Sequence, residues 1–340
     1  MFTVAIAGAT GAVGEEFLSV LAQRRFPVGR LVPLASSRSV GKSIRFAGAD
    51  HAVQDLATFD FHGVDVAFFS AGADRSRAHG PRAAQAGALV VDNSSAFRMD
   101  PAVPLVVPEV NLGAIRGKTG LVANPNCSTI LLVVVLAPLL RHAPVRRLVV
   151  STYQAVSGSG AKGLDELARQ LEEERTGRAP TLGVYPKPIA SNVLPFVQAF
   201  DEGGLTTEEW KMVRETRRIL DRPTLKISST CVRVPVRRAH SEAVNVEFER
   251  AVEPDEVRAW LASAPGVRVV DDPAQLVFPT PRDAEGGDDV LVGRIRRDPG
   301  LPTAIDLFLT GDQLRKGAAL NAVQIAEHVL GTVPAPAAAR

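Results

Sequence analysis

The sequence predicts an α/β protein of two domains, on three observations. A β-branched run at residues 3–7 passes directly into the loop Gly8-Ala9-Thr10-Gly11-Ala12-Val13-Gly14, and helical periodicity follows over 15–25. Strand-like and helical runs then alternate as far as residue 123, which argues for a parallel, doubly wound sheet. Beyond residue 145 strands predominate and the alternation stops, as in an α+β domain with a mostly antiparallel sheet. The predicted class is a Rossmann-type dinucleotide-binding domain plus such an α+β domain. The first is placed at 1–126 and completed by a closing helix at 313–331, the second at 127–312, and a flexible Pro/Ala tail at 332–340.

The glycine loop has the spacing G-x-x-G-x-x-G, a variant of the dinucleotide fingerprint. Gly8, Gly11 and Gly14 permit a tight turn. The backbone of Thr10, Ala12 and Val13 is then free to approach a pyrophosphate at the helix N-terminus. The second strand reads 31–35. Pro33 lies inside it and cannot donate to a ladder, so a bulge or an unpaired edge is expected there. Where an acid for a ribose 2′-hydroxyl is usual, the sequence has Ser36-Ser37-Arg38-Ser39. Hydroxyls with a guanidinium suit a 2′-phosphate, so NADP(H) is the expected cofactor. A solvated turn that carries an arginine is the alternative.

Further strands are expected at 64–70, 89–92, 105–107 and 121–123, with a helix at 73–86. Ligands of such sheets bind beyond the carboxyl ends of the strands. Just past the last of these strands stands Asn124-Pro125-Asn126-Cys127-Ser128-Thr129, followed by an apolar helical run at 130–140. Asn-Pro marks a turn, which places Cys127 in the first turn of the helix. Unpaired N–H groups and the macrodipole there favour a thiolate. A small buried hydrophobe is the other reading of such a cysteine.

In the second half strands are expected at 145–155, 230–236, 243–249, 267–270, 290–296 and 303–309, and helices at 163–174 and 208–220. The turn Ser157-Gly158-Ser159-Gly160 is flexible, and Gly331 stops the closing helix.

A length of 340 residues allows a sizeable core, and 46% hydrophobic with 22% charged residues is ordinary for a soluble protein. A net charge of +2 gives no electrostatic case for nucleic acid or an anionic membrane. The apolar run at 130–137 is far below the roughly 20 residues that span a bilayer. The N-terminus has no basic segment of the secretory kind. Two cysteines make no disulfide framework, so a reducing, cytoplasmic location is expected. No metal site is expected.

These segments, in order, resemble the aspartate-β-semialdehyde dehydrogenase family over nearly the whole chain. The matching stretches include 5–14, 35–39, Val91 to Arg98, 124–129, Ser151 to Gly158, Cys231 to Val236, His240-Ser241 and Leu314 to Asn321. The resemblance implies reversible, NADPH-dependent reduction of 4-phospho-L-aspartate to L-aspartate 4-semialdehyde with release of phosphate, in lysine, threonine and methionine biosynthesis. It implies Cys127 as nucleophile, His240 as general acid/base and Gln154 as the amide that orients the substrate or intermediate. It implies Arg233 as the clamp on the α-carboxylate and Glu208 on the substrate ammonium. Phosphate contacts fall to Arg98, Asn126 and Lys211, and cofactor contacts near the nicotinamide to Ser157, Gly158 and Gln313. It further implies a homodimer formed through the sheet of the second domain.

Taken alone, some of these residues read differently. Glu208 and Lys211 are also an ordinary i,i+3 surface pair, and Gln154 a polar residue at a strand end. Arg233 within an apolar strand needs an anionic partner in any case. Cys231 reads as a packed thiol. Ala239 stands where the family pattern has glycine, Gln313 where it has asparagine, and Tyr185-Pro186-Lys187-Pro188 replaces Phe-Pro-His-Pro. Two other functions fit parts of the pattern: N-acetyl-γ-glutamyl-phosphate reductase, which needs no free-ammonium site, and a non-catalytic homologue acting as a binding subunit. The latter should have lost the cysteine or the histidine.

Overall fold

The computed structural model describes residues 1–115 and 120–333. The chain divides into two compact units, Met1–Asn126 with the chain from Ala318 onward, and Cys127–Gly317.

The first unit contains β1 (Phe2–Ala7), α1 (Ala12–Gln23), β2 (Val28–Ala35), β3 (Ser43–Phe46), β4 (Ala49–Ala52) and β5 (Gln54–Asp55). After them come β6 (Val66–Phe69), α2 (Ala73–Gln85), β7 (Leu89–Asp92), α3 (Pro108–Asn111) and β8 (Leu121–Ala123). Six strands form one parallel sheet in the order β5-β2-β1-β6-β7-β8, and β3 and β4 form a separate hairpin. The central strands are buried on both faces, as a doubly wound sheet requires. One apolar layer packs Val4, Ile6 and Phe68 under α1 and the closing helix, through Phe17, Val20, Leu21, Val323 and Ile325. The other packs Ala5, Ala67, Phe69 and Val90 against Leu34, Leu56 and Ala83.

Pro33 pairs in register with Ile6, and the irregularity of that ladder lies at Phe2/Thr3 instead. No bulge is needed because the outer neighbour β5 reaches only Leu34 and Ala35, so the proline borders an edge. The strand expected at 105–107 is reduced to a single bridge from Leu105 to Ala123. Its backbone bonds go partly to side chains: Asn111 Oδ1 accepts from Val107 N–H, and Asn111 Nδ2 donates to Leu105 O.

The closing helix is Leu320–Leu330, preceded by a π-helical turn at Arg315–Ala319. It therefore starts later than the sequence pattern placed it. Residues 313–317 belong to the second unit, because Gln313 bonds to Ser157 and Ala239 there. The helix is fixed to the first unit by an Arg24–Glu327 ion pair (2.6 Å) and by Asn321 donating to Val106 O and Asn124 Oδ1. Of the expected tail, residues 334–340 lie outside the described residues; Thr332 N–H still donates to Glu327 O.

The second unit contains α4 (Cys127–His142), β9 (Val145–Gln154), α5 (Ala161–Arg175), α6 (Thr207–Ile219), β10 (Lys226–Arg233), β11 (His240–Phe248) and α7 (Pro254–Ala262). It continues with β12 (Val267–Val269), α8 (Pro281–Ala284), β13 (Val290–Arg297) and β14 (Ala304–Gly311). The sheet order is β10-β9-β11-β14-β13-β12. Pairs β9/β11, β11/β14 and β13/β14 are antiparallel, and the outer pairs β9/β10 and β12/β13 are parallel. Helix α4 is apolar all round and buried from Ser128 to Leu139, as a helix enclosed by other elements must be. It packs on α6, α7 and the sheet. Each fully buried Leu, Ile or Val contributes about 1.5–3 kcal/mol there. Alternation along β9 buries Leu148, Val150, Thr152 and Gln154 and leaves Tyr153 39% exposed on the other face.

Candidate active site

In the first unit the glycine loop joins β1 to α1. Gly8 has φ +91°, and a Cβ there would collide with the carbonyl of Ser70. A Cβ on Gly14 would collide with the carbonyls of Gly8 and Ala9. Gly11 is the N-cap of α1 and makes no side-chain hydrogen bond, so no capping side chain covers the first-turn N–H groups. The loop is tied to β2, since Gly8 and Ala9 N–H both donate to Leu34 O. Just beyond, Ser36 caps the turn Ser37–Ser39, on which Arg38 is exposed. Thr10 on the glycine loop is exposed, and Ala12 and Val13 in the first turn of α1 are half-buried. A cradle closed to side chains, an uncapped helix start and an exposed arginine at the neighbouring strand end fit a dinucleotide phosphate chain.

Also in this unit, Arg98 is buried and donates to Asn124 O (3.0 Å) and Asn93 O (2.7 Å). Its loop is held by Asp92, which accepts from Ser76 and Ser94 hydroxyls at 2.6 and 2.7 Å. Burial pushes the Asp92 carboxyl up, and those serine bonds offset part of the rise. Asn126 is buried at the end of the unit.

In the second unit three adjacent strands end together. Gln154 closes β9, Arg233 closes β10 opposite it, and His240 opens β11. All three side chains are buried. The peptide of Ala155 links two of them: its N–H donates to His240 Nδ1 (3.0 Å), and its carbonyl accepts from Arg233 Nη1 (2.6 Å). With Nδ1 accepting, the neutral ring carries its proton on Nε2. Nε2 is buried with no partner among the described residues, and so is Arg233 Nε. Burial, and then the Arg233 charge, hold the His240 imidazolium down to about 3, against a smaller opposing pull from Glu208. The ring is neutral at pH 7.

Gly158 covers this group. A Cβ on it would lie 2.9 Å from Arg233 Nη1 and 3.2 Å from His240 Cε1 and Nε2. Gln154 accepts from Thr152 Oγ1 and donates to Glu208 Oε1, both at 3.1 Å. Glu208 Oε2 accepts from Lys211 Nζ (3.1 Å), which also donates to Gln198 Oε1 (2.6 Å). The pair is not a solvated one, since Glu208 is only 2% exposed. Helix α6 is pinned by a capping box, Thr206 with Glu209, and Glu209 Oε1 also accepts from Cys231 N–H on β10 (2.9 Å).

Cys127 is the first residue of α4 and partly buried. Gly317 lies against it: a Cβ there would be 3.0 Å from Cys127 Cβ and 3.3 Å from Gln313 Cβ. Gln313 donates to Ser157 Oγ and accepts from Ala239 N–H (2.8 Å). Cys231 is fully buried, and burial followed by the Glu208 charge pushes its thiol up, out of the reactive range. The structure thus brings together Gln154, Arg233, His240, Glu208, Lys211, Ser157, Gly158 and Gln313. Ala155 and Gly317 join the group through the fold alone, because neither a backbone donor's partner nor the residue a glycine packs against is written in the sequence. Among the described residues no cluster of His, Cys, Asp and Glu could hold a metal ion. No described helix is long and apolar enough to cross a membrane.

A nucleotide cradle in one unit and a buried Gln/Arg/His group with a helix-start cysteine in the other fit one class, the semialdehyde dehydrogenases. Residues 3–118 match the model "Semialdehyde dehydrogenase, NAD binding domain" and residues 136–316 "Semialdehyde dehydrogenase, dimerisation domain". The aspartate-semialdehyde dehydrogenase of Legionella pneumophila is 50% identical over 327 residues, covering 95% of this chain and 94% of its own. The crystal structure of aspartate semialdehyde dehydrogenase II complexed with ASA, from Vibrio cholerae, superimposes with a TM-score of 0.94. It is 45% identical, with 97% and 98% of the two chains covered. The Candida albicans enzyme solved with NADP gives 0.75 at 27% identity, with 98% and 99% covered. The chain belongs to the aspartate-semialdehyde dehydrogenase family.

Proposed function

We propose that this chain interconverts 4-phospho-L-aspartate and L-aspartate 4-semialdehyde through a thioester on Cys127, with NADP(H) and inorganic phosphate. The observation that carries the reading is the convergence of Gln154, Arg233 and His240 at three strand ends, beside a Glu208–Lys211 pair, in the unit whose first residue is Cys127.

In the oxidative direction Cys127 sulfur attacks the aldehyde carbon and forms a hemithioacetal. The first-turn N–H groups of α4 favour the anionic sulfur that this needs. Bound NADP would supply the hydride acceptor for this oxidation, and Cys127 holds the carbon as a thioester once the hydride has left. Phosphate then cleaves the Cys127 thioester and returns the thiolate. Arg233 clamps the α-carboxylate, with Nε still available beside the bonded Nη1. Glu208 takes the ammonium, and Gln154, held by Thr152 and Glu208, orients the acyl oxygen. His240 presents Nε2–H to the oxyanion and is the atom through which a proton enters or leaves. A carboxylate on Arg233 offsets the charge that holds the imidazolium down, so substrate binding raises the ring's proton affinity.

Arg98, Asn126 and Lys211 are assigned to phosphate, the glycine loop to the pyrophosphate, and Ser36, Ser37 and Arg38 to a 2′-phosphate. The chain works in the cytoplasm as a homodimer. The exposed sheet face, with Tyr153 and Phe308 paired at 6.1 Å, supports that interface, and light scattering tests it. The Glu208–Lys211 pair favours a substrate with a free ammonium over an N-acetylated one. The test is phosphate-dependent NADP reduction with L-aspartate 4-semialdehyde and, separately, N-acetyl-L-glutamate 5-semialdehyde. Activity on the first alone is expected; activity on the second alone overturns the reading.

A further inference from the structure

Ala239 has φ +69°, in the left-handed region that alanine occupies only at a cost. It immediately precedes His240. Its N–H is held by Gln313 Oε1 at 2.8 Å, and Gln313 Nε2 donates to Ser157 Oγ. Ser157 is next to Gly158, whose backbone lies against His240 and Arg233. All of Ser157, Ala239, His240 and Gln313 are nearly or fully buried. One turn beyond Gln313, Gly317 packs on Cys127. A single amide thus ties the peptide entering His240 to the loop lying over its ring, on the same turn that abuts the nucleophile.

We infer that Gln313, in place of the nicotinamide contact the family resemblance implies, is a positioning residue: both ends of its amide are bonded within the protein, it holds a strained peptide at Ala239 so that His240 is aimed, and its role is felt in kcat rather than in cofactor binding. The inference rests on the assignment of His240 made above. If the amide is removed, the strain at Ala239 drives that peptide toward an ordinary conformation and the imidazole moves with it. A misplacement of about 1 Å is worth on the order of 100-fold in rate. Glycine at 239 carries no such strain, so it keeps the native conformation accessible without the bond.

The test compares Gln313→Leu, Gln313→Asn, and Gln313→Leu combined with Ala239→Gly, using the full chain and steady-state kinetics with L-aspartate 4-semialdehyde, NADP and phosphate. Circular dichroism checks that each variant folds, and fluorescence titration gives its dinucleotide Kd. Expected for Gln313→Leu is a fall in kcat of about 10- to 100-fold, a less than threefold change in dinucleotide Kd, and partial recovery on adding Ala239→Gly. Gln313→Asn, too short to span both partners, should fall between. A rise in dinucleotide Kd with kcat unchanged, or no recovery from the glycine, overturns the inference. Failure of the reading underneath it looks different: the parent enzyme itself then lacks the activity.

Discussion

The N–H of Ala155 donates to Nδ1 of His240 at 3.0 Å, so that one backbone bond assigns the tautomer of the imidazole. The carbonyl of Ala155 accepts from Arg233, which makes the proposed proton carrier and the proposed carboxylate clamp neighbours through a shared residue. A change at either is felt at the other.

Arg233→Lys is the first consequence. Lysine loses the fork for a carboxylate and also the bond to Ala155 O. The expected loss in kcat/KM is about 100-fold, close to 3 kcal/mol. A loss below about threefold in steady-state kinetics argues against the clamp.

Gly158→Ala adds one methyl group between Arg233 and His240 where 2.9–3.2 Å is available. Either the loop lifts or both side chains shift. Catalysis should fall on the order of 10- to 100-fold with little change in Tm, because the loop is short and sits at a strand end. Unchanged kcat/KM would show that the cover does not matter.

Arg38→Glu should weaken NADP far more than NAD, since the glutamate repels a 2′-phosphate and accepts from a ribose hydroxyl. The ratio of the two Kd values, measured by fluorescence titration, is the readout. Equal effects on both cofactors remove the basis for NADP preference.

Glu242 lies two residues after His240, fully buried, and neither carboxyl oxygen has a partner among the described residues. Burial pushes its carboxyl well up, so it is protonated in the fold and ionised in the unfolded chain above its ordinary value of 4.5. The unfolded state then binds fewer protons, and stability falls as pH rises above 4.5 toward the folded-state value. Glu242→Gln removes that dependence. In thermal melts the variant should gain on the parent as pH rises above about 5; a constant difference would contradict the assignment. His240 acts in the opposite sense, costing stability as pH falls from 6.5 toward 3.

Much of this was legible in the sequence. The strand–glycine loop–helix order located the nucleotide cradle, and Asn124-Pro125 before an apolar run located the start of α4 at Cys127. The roles of Gln154, Arg233, Glu208 and His240 came through the family resemblance, because nothing in three separate strand segments shows that they end side by side. That requires the β9/β10 and β9/β11 registers. Helix α7 carries local signals of its own, Pro254 at its first turn and a Glu253/Glu256 capping box. The late start of the closing helix was not readable, since the π-helical turn before it keeps the same apolar pattern. The glycine expected at 239 now has a physical reason in the positive φ of Ala239.

The central claim is that Cys127 carries the acyl group. Incubating the enzyme with L-aspartate 4-semialdehyde and oxidised NADP, with phosphate withheld, and digesting it under acid for peptide mass spectrometry tests this directly. The account predicts an aspartyl adduct on the Cys127 peptide that disappears when phosphate is added, with the Cys231 peptide unchanged. Reduction of the cofactor with no adduct on Cys127, or an adduct on Cys231 alone, would contradict it.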